Sequence, residues 1–456
     1  MKRLSLGLAC CLTAGAFATS AMAGVPASQA ARLGSDLTPM GSERAGSGNV
    51  PAWSGGLSSV PSNVTYDAGS GKQLPDPFAS DQIQYTVTPG NMAQYSDQLT
   101  TGYQALLSTY PSYKMNVYQG RRTCAFPDAV NAATRNNAEV GSLVGGGNGV
   151  GGAINGFPFP IPSSGLEIVW NHTLRYRDFK ITRQTANAAV TRSGDYDLII
   201  SQQDVILRWS DPRMEKAEDL DNISIYFIAN TVAPARAAGS VILVHETLDR
   251  SIDPRKAWQY SPGTRRVRRA PNIAYDNPGT NSDGLSTSDS FDMYNGAPDR
   301  YDWTVLGKRE VFISANNYRL QQAEATYEDI VNPGHANQDL VRYERRRVWE
   351  IEGNLKSATR HVYSRRQMVM DEDGWSIAAT SLYDGRGELW RAQERWSAVA
   401  YDHPLCNSAG DVVYDLNAGR YLAGGLNSQE APVNYDASEL NIDRYTPGSI
   451  RQLGVR

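Results

Sequence analysis

The sequence predicts a mainly β protein with a few helices, built on one large, curved antiparallel sheet that helices cover. From about residue 165 onward, apolar and polar residues alternate with a period of two, as expected for strands with one buried face. The chain has 41 glycines and 23 prolines spread along its length, which is typical of many strands joined by turns. Asp-Gly turn sequences separate the last strands, in "DEDGW" and "YDGRGELW". Since a wide antiparallel sheet must curl or be covered, we expect a concave face between the sheet and a helix.

The first 23 residues have the features of a secretory signal peptide. Lys2 and Arg3 precede an apolar run that ends near Ala18, and the stretch 21–23 reads Ala-Met-Ala, a small-residue cleavage site. No later segment approaches the roughly 20 apolar residues that a membrane span requires. We therefore expect a protein that is exported to a bacterial periplasm, is cleaved after Ala23, and lies in solution or peripherally at the outer membrane.

Residues 24–90 are rich in Gly, Ser and Pro and lack a periodic apolar pattern, so we expect an extended arm that lies over the body. Residues 91–456 form the predicted single β-rich domain. It carries a helix near 91–107, capped by Thr88, and a second helix near 127–137.

The predicted strands begin with "LEIVWNHTLRYRDFKI" and continue through "YDLIISQQDVILRWS", "ISIYFIANTVA" and "GSVILVHETL". In the C-terminal meander, Trp349 and Ile351 share one strand face. Trp390, Ala392 and Trp396 share another, which Glu394 interrupts.

The run "SPGTRRVRRA" combines a turn with a strand of high positive charge, containing Arg265, Arg266, Arg268 and Arg269. A following segment, 276–302, is acidic and includes Asp283, Asp289 and Asp292. We expect the acidic segment to fold back on the basic strand and to be held there by ion pairs. The alternatives are contact with an acidic lipid head group or docking to an acidic partner protein.

Cys10 and Cys11 belong to the signal peptide, which leaves Cys124 and Cys406 in the mature chain. Two cysteines in an oxidising compartment favour one disulfide.

The formal net charge is −4, which argues against a nucleic-acid partner. The five histidines lack the i, i+4 spacing of a zinc site, and no nucleophile elbow is present, so we expect no metal, cofactor or enzymatic activity. Glu350 and Glu352 could act together on a sugar, but carboxylates on one strand face are more typical of a solvated stripe.

Seven tryptophans lie in or beside the predicted strands, and ordinary core packing would account for each of them. The functional interpretation is that several line a cavity for an acyl chain, a sterol or a similar molecule. These candidate ligand-binding residues are Trp170, Trp209, Trp258, Trp349, Trp375, Trp390 and Trp396.

Several long segments resemble a bacterial secreted family known as domain of unknown function 1329. They include "ARLGSDLTPMGSERAG", "FPIPSSGLEIVWNH", "AWQYSPGTRRVRRAPNIAYD", "MYNGAPDRYDW" and "LYDGRGELWR". The resemblance implies export in Gram-negative bacteria and a fold similar to the lipoprotein-carrier (LolA/LolB-like) superfamily, an open half-barrel whose apolar cavity is plugged by helices. It also implies genes near outer-membrane proteins and efflux-type transporters, but no catalytic residues.

Together these features lead us to expect a non-enzymatic carrier or chaperone for a hydrophobic cargo, a lipid or lipid-like molecule, in envelope transport. One alternative is an accessory subunit that docks to an outer-membrane or transporter protein, and another is an enzyme of an uncharacterised type.

Overall fold

A computed structural model describes residues 24–270 and 273–454, so the predicted signal peptide lies outside the described residues. The strands are β1 (Tyr85–Val87), β2 (Met115–Tyr118), β3 (Ser142–Val144), β4 (Gly149–Gly151), β5 (Lys180–Val190), β6 (Tyr196–Leu207), β7 (Ile223–Ala233), β8 (Val241–Thr247), β9 (Lys256–Ser261), β10 (Arg266–Arg269), β11 (Tyr301–Ser314), β12 (Tyr343–Leu355), β13 (Arg365–Asp371), β14 (Ile377–Tyr383), β15 (Leu389–Ala400), β16 (Leu405–Asp415) and β17 (Arg420–Leu426). The α-helices are α1 (Ala27–Ala30), α2 (Thr101–Thr109), α3 (Asp128–Val140), α4 (Gly165–Thr173), α5 (Tyr327–Ile330) and α6 (Pro447–Gly454).

Fifteen strands form one open sheet, and β3 and β4 pair separately. The order across the sheet is β1-β2-β12-β13-β14-β15-β16-β17-β5-β6-β7-β8-β9-β10, with β11 also paired to β12. Two consecutive meanders, β12–β17 and β5–β10, are joined where β17 pairs antiparallel with β5. The predicted antiparallel architecture is confirmed, with one addition: β2 pairs parallel with β12.

Helix α2 covers the sheet at β14 and β15; it occupies only the last part of the predicted range 91–107 and extends two residues beyond it. Its N-cap is Thr100, whose hydroxyl accepts the N–H of Tyr103. Thr88 does not cap a long helix as predicted, because its own N–H is donated to the side chain of Asn91 and only a 3₁₀ stretch, Met92–Gln98, follows. Helix α3 occupies the second predicted range and extends three residues beyond it.

The segment expected to begin the strands instead starts with helix α4, so that part of the strand prediction is wrong. Ser164 caps the helix by accepting the N–H of Glu167, while the Glu167 carboxylate accepts the N–H of Ser163. Most side chains of α4 are buried, so the helix lacks the polar face that gives an amphipathic pattern. The sequence signal was the Ser-x-x-Glu spacing of a capping box.

The N-terminal arm is fixed to the body by buried polar contacts. The indole N–H of Trp375 donates to the carbonyl of Met40 at 2.8 Å, and the Ser42 hydroxyl donates to Asp373 at the same distance. Arg122 in turn pairs with Asp373 at 2.6 Å. Because these groups are almost completely buried, the arm is part of the folded unit.

A disulfide joins Cys124 to Cys406 on β16, with 5.6 Å between the Cα atoms, as predicted. It connects parts of the chain that are 282 residues apart.

The C-terminal segment packs on the outer face of the second meander. Its side chains Leu440, Tyr445 and Ile450 belong to one apolar cluster with Ile228 on β7 and Leu243 on β8. The outer face of β6–β9 is therefore covered, which leaves the opposite face of the same strands to border the cavity described next.

Candidate functional site

A cavity of about 270 Å³ lies against the inner face of the second meander. Its wall is made by alternate residues of six neighbouring strands, β16, β17, β5, β6, β7 and β8, because every second side chain of a strand points to the same face. The volume is close to the lower end of the range for small-molecule sites, about 300–1,000 Å³.

The wall is arranged in rows that run across the strands. Ile181 on β5 lies opposite Val205 on β6, which lies opposite Phe227 on β7, which lies opposite Val244 on β8. All four line the cavity and form an apolar row. With strands about 4.8 Å apart, the row is about 14 Å long.

The next row begins with a charged residue, Arg183 on β5. Arg183 lies opposite Gln203, and this row continues through Ala229 to Ile242. Along this row the side chains change from charged and polar on β5 and β6 to apolar on β7 and β8.

Residues 273–295, here called the cover segment, close the other side of the cavity. The ring of Phe291 lies 5.8 Å from the ring of Phe227, and 47% of Phe291 is exposed, so this side chain stands between the apolar row and solvent.

Buried ion pairs hold the cover segment in place. Asp289 accepts hydrogen bonds from Arg366 at 2.5 Å and from His361 at 2.9 Å. Burial opposes ionisation of Asp289, but the Arg366 guanidinium keeps the pKa of its carboxyl below the usual value. Asp283, nearer the surface, pairs with Arg420.

Asp292 is held by three arginines. Arg175 and Arg177 contact its two oxygens at 2.5 and 2.7 Å, and Arg395 also donates to it. Although burial alone would raise the pKa of the Asp292 carboxyl, these guanidinium groups hold it well below its ordinary range. Burial also lowers the pKa of Arg175, to about 9.

His172 lies behind this cluster in one fixed tautomer. Its Nε2 donates to the carbonyl of Asp292 at 2.9 Å, and its Nδ1 accepts the N–H of Ile377 at 3.2 Å. Burial, and then the charge of Arg175, lower its pKa well below 6.5, so the imidazole is neutral.

The arginines that hold the acidic segment are therefore different from those expected. Arg265, Arg266, Arg268 and Arg269 are all exposed, and none makes an ion pair or side-chain hydrogen bond with any residue of 24–270 or 273–454. Arg266, Arg268 and Arg269 belong to β10, and Arg265 lies in the turn before it. Among the described residues β10 is the edge of the sheet and pairs only with β9, so its outward side chains meet solvent and not the cover segment. The predicted fold-back of the acidic residues occurs, but with basic partners from β13, β15, β17 and the α4–β5 connection.

The tryptophans also lie elsewhere than expected, because none of the seven lines this cavity. Trp170 and Trp209 are buried in a separate apolar cluster beneath the β3–β4 hairpin, where their indole N–H groups donate to the carbonyls of Gly147 and Gly156. Trp258 packs against His245, on the side of the sheet that the C-terminal segment covers.

The other four tryptophans belong to the first meander. Trp349 and Trp375 stack with ring centres 6.3 Å apart, and Trp396 is fully buried in the main core. The indole N–H of Trp390 donates to Asp415. These surroundings match ordinary core packing, which was the alternative to cavity lining for each tryptophan.

Glu350 and Glu352, the two carboxylates considered for action on a sugar, both form salt bridges. Arg309 donates to both oxygens of Glu350 at 2.7 and 3.0 Å, and Arg365 and Gln367 donate to Glu352. Within 24–270 and 273–454, no group of three or more His, Cys, Asp or Glu residues could hold a metal ion. No helix in the same ranges is long and apolar enough to cross a membrane.

Sequence reasoning missed Arg183 and Asp411, two charged residues that line the cavity. The signal was available for Arg183, since it shares a strand face with Ile181 in "KITRQTANAAV". A charge at a position of the buried face is unusual and points to function.

Residues 86–451 match the protein family described as "Protein of unknown function (DUF1329)". The chain is 45% identical over 445 residues to "Uncharacterized protein PA3922" of Pseudomonas aeruginosa, and the match covers 96% of each chain.

Two solved structures are similar to the chain at low sequence identity. A DUF1329 family protein from Desulfovibrio piger has a TM-score of 0.43 and 13% identity, covering 63% of this chain and 97% of the other. The LolA superfamily protein NE2245 from Nitrosomonas europaea has a TM-score of 0.38 and 11% identity, covering 62% and 98%. On the sequence matches, which extend over most of its length, the chain belongs to the DUF1329 family.

Proposed function

We propose that this protein is a non-enzymatic carrier of a hydrophobic, lipid-like molecule, which binds in the cavity beneath the cover segment. The observation that carries the proposal is the apolar row of Ile181, Val205, Phe227 and Val244 on the inner face of an open sheet. Burying alkyl groups against such a wall contributes about 0.8 kcal/mol per CH₂, so a chain can be held without directional contacts.

A binding role is also supported by the state of two ionisable groups beside the cavity, His172 and Asp292. His172 is neutral and has both ring nitrogens engaged, and Asp292 is shared by three arginines. General acid–base catalysis requires a group that is free to exchange a proton with a substrate. These groups are committed to holding the cover segment.

The N-terminal sequence supports a proposal about where the protein acts. We propose that residues 1–23 are removed as a signal peptide and that the carrier works in the periplasm, between membranes, where a lipid-like molecule needs shielding from water.

The test is native purification followed by extraction and mass spectrometry of bound lipids. The wild-type protein should yield a co-purifying lipid-like molecule. The variant Ala229→Trp, which places a large side chain in the wall row of Arg183, should lose it. Val232→Trp introduces the same side chain on β7 at a position that is 41% exposed, and should retain the molecule. Equal recovery from all three proteins, or recovery from none, would count against the proposal.

A second candidate function is docking to an outer-membrane or transporter protein through β10. This edge strand presents three exposed arginines, Arg266, Arg268 and Arg269, and the exposed Arg265 lies in the turn before it; none of the four has an acidic partner among the described residues. Charge protects a sheet edge from unwanted pairing and can also attract an acidic surface. Replacement of the four arginines by serine should abolish co-purification of one defined envelope protein while Ala229→Trp leaves it unchanged, and the reverse pattern would exclude this function.

A further inference from the structure

We infer that the cavity contains an anion site at its β5 end, where Arg183 binds the head group of an anionic amphiphile whose chain lies along the apolar row. This inference rests on the proposed carrier function and specifies the chemical class of its cargo.

Arg183 differs from every other arginine that lines the cavity. Arg175, Arg177 and Arg395 contact Asp292, and Arg255 contacts Glu246. Arg183, by contrast, makes no ion pair within residues 24–270 and 273–454.

Among the described residues, the one hydrogen bond that fixes the Arg183 side chain runs from its Nε to Oε1 of Gln203 at 2.9 Å. This bond leaves the two terminal nitrogens of the guanidinium for a ligand. Placing a charge that has no ion-pair partner within 24–270 and 273–454 beside Ile181 and Val205 is costly, and burial lowers the pKa of Arg183 although Asp292 opposes the shift. A bound anion would offset that cost.

The surroundings of Arg183 also favour an anion. Three guanidinium groups share the single carboxylate of Asp292 near the same end of the cavity, so this cluster keeps an excess of positive charge. A guanidinium matches the planar oxygens of a carboxylate or phosphate with two parallel hydrogen bonds, whereas a cationic head group would be repelled.

Asp411 is the second acid near this end, and it faces Arg395, Asp292, Arg183 and the side chain of Gln393. Burial raises the pKa of its carboxyl to about 6, although Arg395 opposes the shift. Below that pH the carboxyl loses its charge and repels an anionic head group less. Binding of a permanently charged anion should therefore tighten as the pH falls through 6.

The position of the charge relative to the apolar row suits an amphiphile. Ile181, the first residue of the apolar row, is two residues from Arg183 on β5. From Ile181 the row continues across β6, β7 and β8, so its distance from the Arg183 charge increases. A molecule with its head at Arg183 would place its chain against Val205, Phe227 and Val244, under Phe291 of the cover segment.

The experiment is calorimetric titration of the full mature chain with four ligands that share a decyl chain. These are decanoate, decyl phosphate, decanol and decyltrimethylammonium. Since a hydrogen bond to a charged group is strong enough to change affinity about tenfold or more, both anions should bind at least about tenfold more tightly than decanol, and the cation more weakly. Tighter binding of decyl phosphate would assign a phosphoester head group, and tighter binding of decanoate a free carboxylate. Either order supports the site.

Variants separate this site from the cavity as a whole. Arg183→Gln should weaken both anions about tenfold and leave decanol unchanged within about twofold, while Arg183→Lys should recover part of the loss. Arg268→Gln, at an exposed position of β10, is the matched control and should change nothing. If decanoate and decanol bind equally and Arg183→Gln affects neither, the anion site is wrong but the hydrophobic cavity stands. If none of the four ligands binds, the proposed function fails with it.

Discussion

Glu394 interrupts the apolar face of β15, and this interruption predicts a specific dependence of stability on pH. The side chain is 1% exposed, and the Tyr343 hydroxyl donates to its Oε2 at 3.2 Å. Burial raises the pKa of this carboxyl from 4.5 to about 8, although hydrogen bonds from neighbouring tyrosines oppose the shift.

The sign of the effect follows from where the proton is bound. Between about pH 4.5 and pH 8 the folded protein keeps the proton on Glu394, whereas the unfolded chain has lost it, so raising the pH destabilises the fold. The slope is ~1.4 kcal/mol per pH unit in the middle of this interval. Between pH 5 and pH 8 the loss contributed by this residue is roughly 3–4 kcal/mol.

The perturbation is Glu394→Gln, which keeps the shape of the side chain and removes its titration. The measurement is the free energy of unfolding in urea at several pH values from 5 to 8. The difference between variant and wild type should shift by roughly 3–4 kcal/mol in favour of the variant as the pH rises. Glu388→Gln, at an exposed position in the β14–β15 turn, should give a constant difference. A constant difference for Glu394→Gln, or one that shifts in favour of the wild type, would refute the reasoning.

Three further outcomes are expected. Asp292→Asn leaves the buried guanidinium groups of Arg175 and Arg395, and the partly buried one of Arg177, without their carboxylate and should lower the free energy of unfolding by about 3–5 kcal/mol, measured in urea. Replacing Cys124 and Cys406 by serine removes a crosslink between distant parts of the chain and should cost up to about 5 kcal/mol by the same measurement; an unchanged midpoint would contradict this. Arg268→Ser should change stability by no more than about 0.5 kcal/mol, because the side chain is exposed and makes no ion pair with the described residues; a larger loss would support the pairing expected from the sequence.

The strand pattern could be predicted from the sequence because alternation depends on local geometry alone. The strands of the C-terminal meander lie where apolar and polar residues alternate in the sequence, and turns lie at its Asp-Gly pairs. Helix α4 was mistaken for a strand because burial on most sides removes the polar face that distinguishes a helix, leaving only the capping spacing of Ser164 and Glu167 as a signal.

The site was harder to predict because alternation shows which residues share a face but not what covers that face. Trp349 and Trp396 lie on buried faces as expected, yet those faces meet packed core, whereas the cavity borders a face with smaller side chains such as Val205. The partners of the acidic segment were missed for a related reason. Proximity in sequence favoured Arg268, while the fold brings Arg366 and Arg395 from strands about a hundred residues away.

The most direct test of the central claim is to map where an alkyl ligand binds. A decanoate analogue with a photoreactive diazirine on its chain, activated in the presence of the protein and followed by peptide mass spectrometry, should label peptides from β6, β7 and β8. Labelling should fall sharply in Ala229→Trp and persist in Val232→Trp. Labelling confined to the outer surface, or unchanged by Ala229→Trp, would contradict a carrier whose cargo lies on the inner face of this sheet.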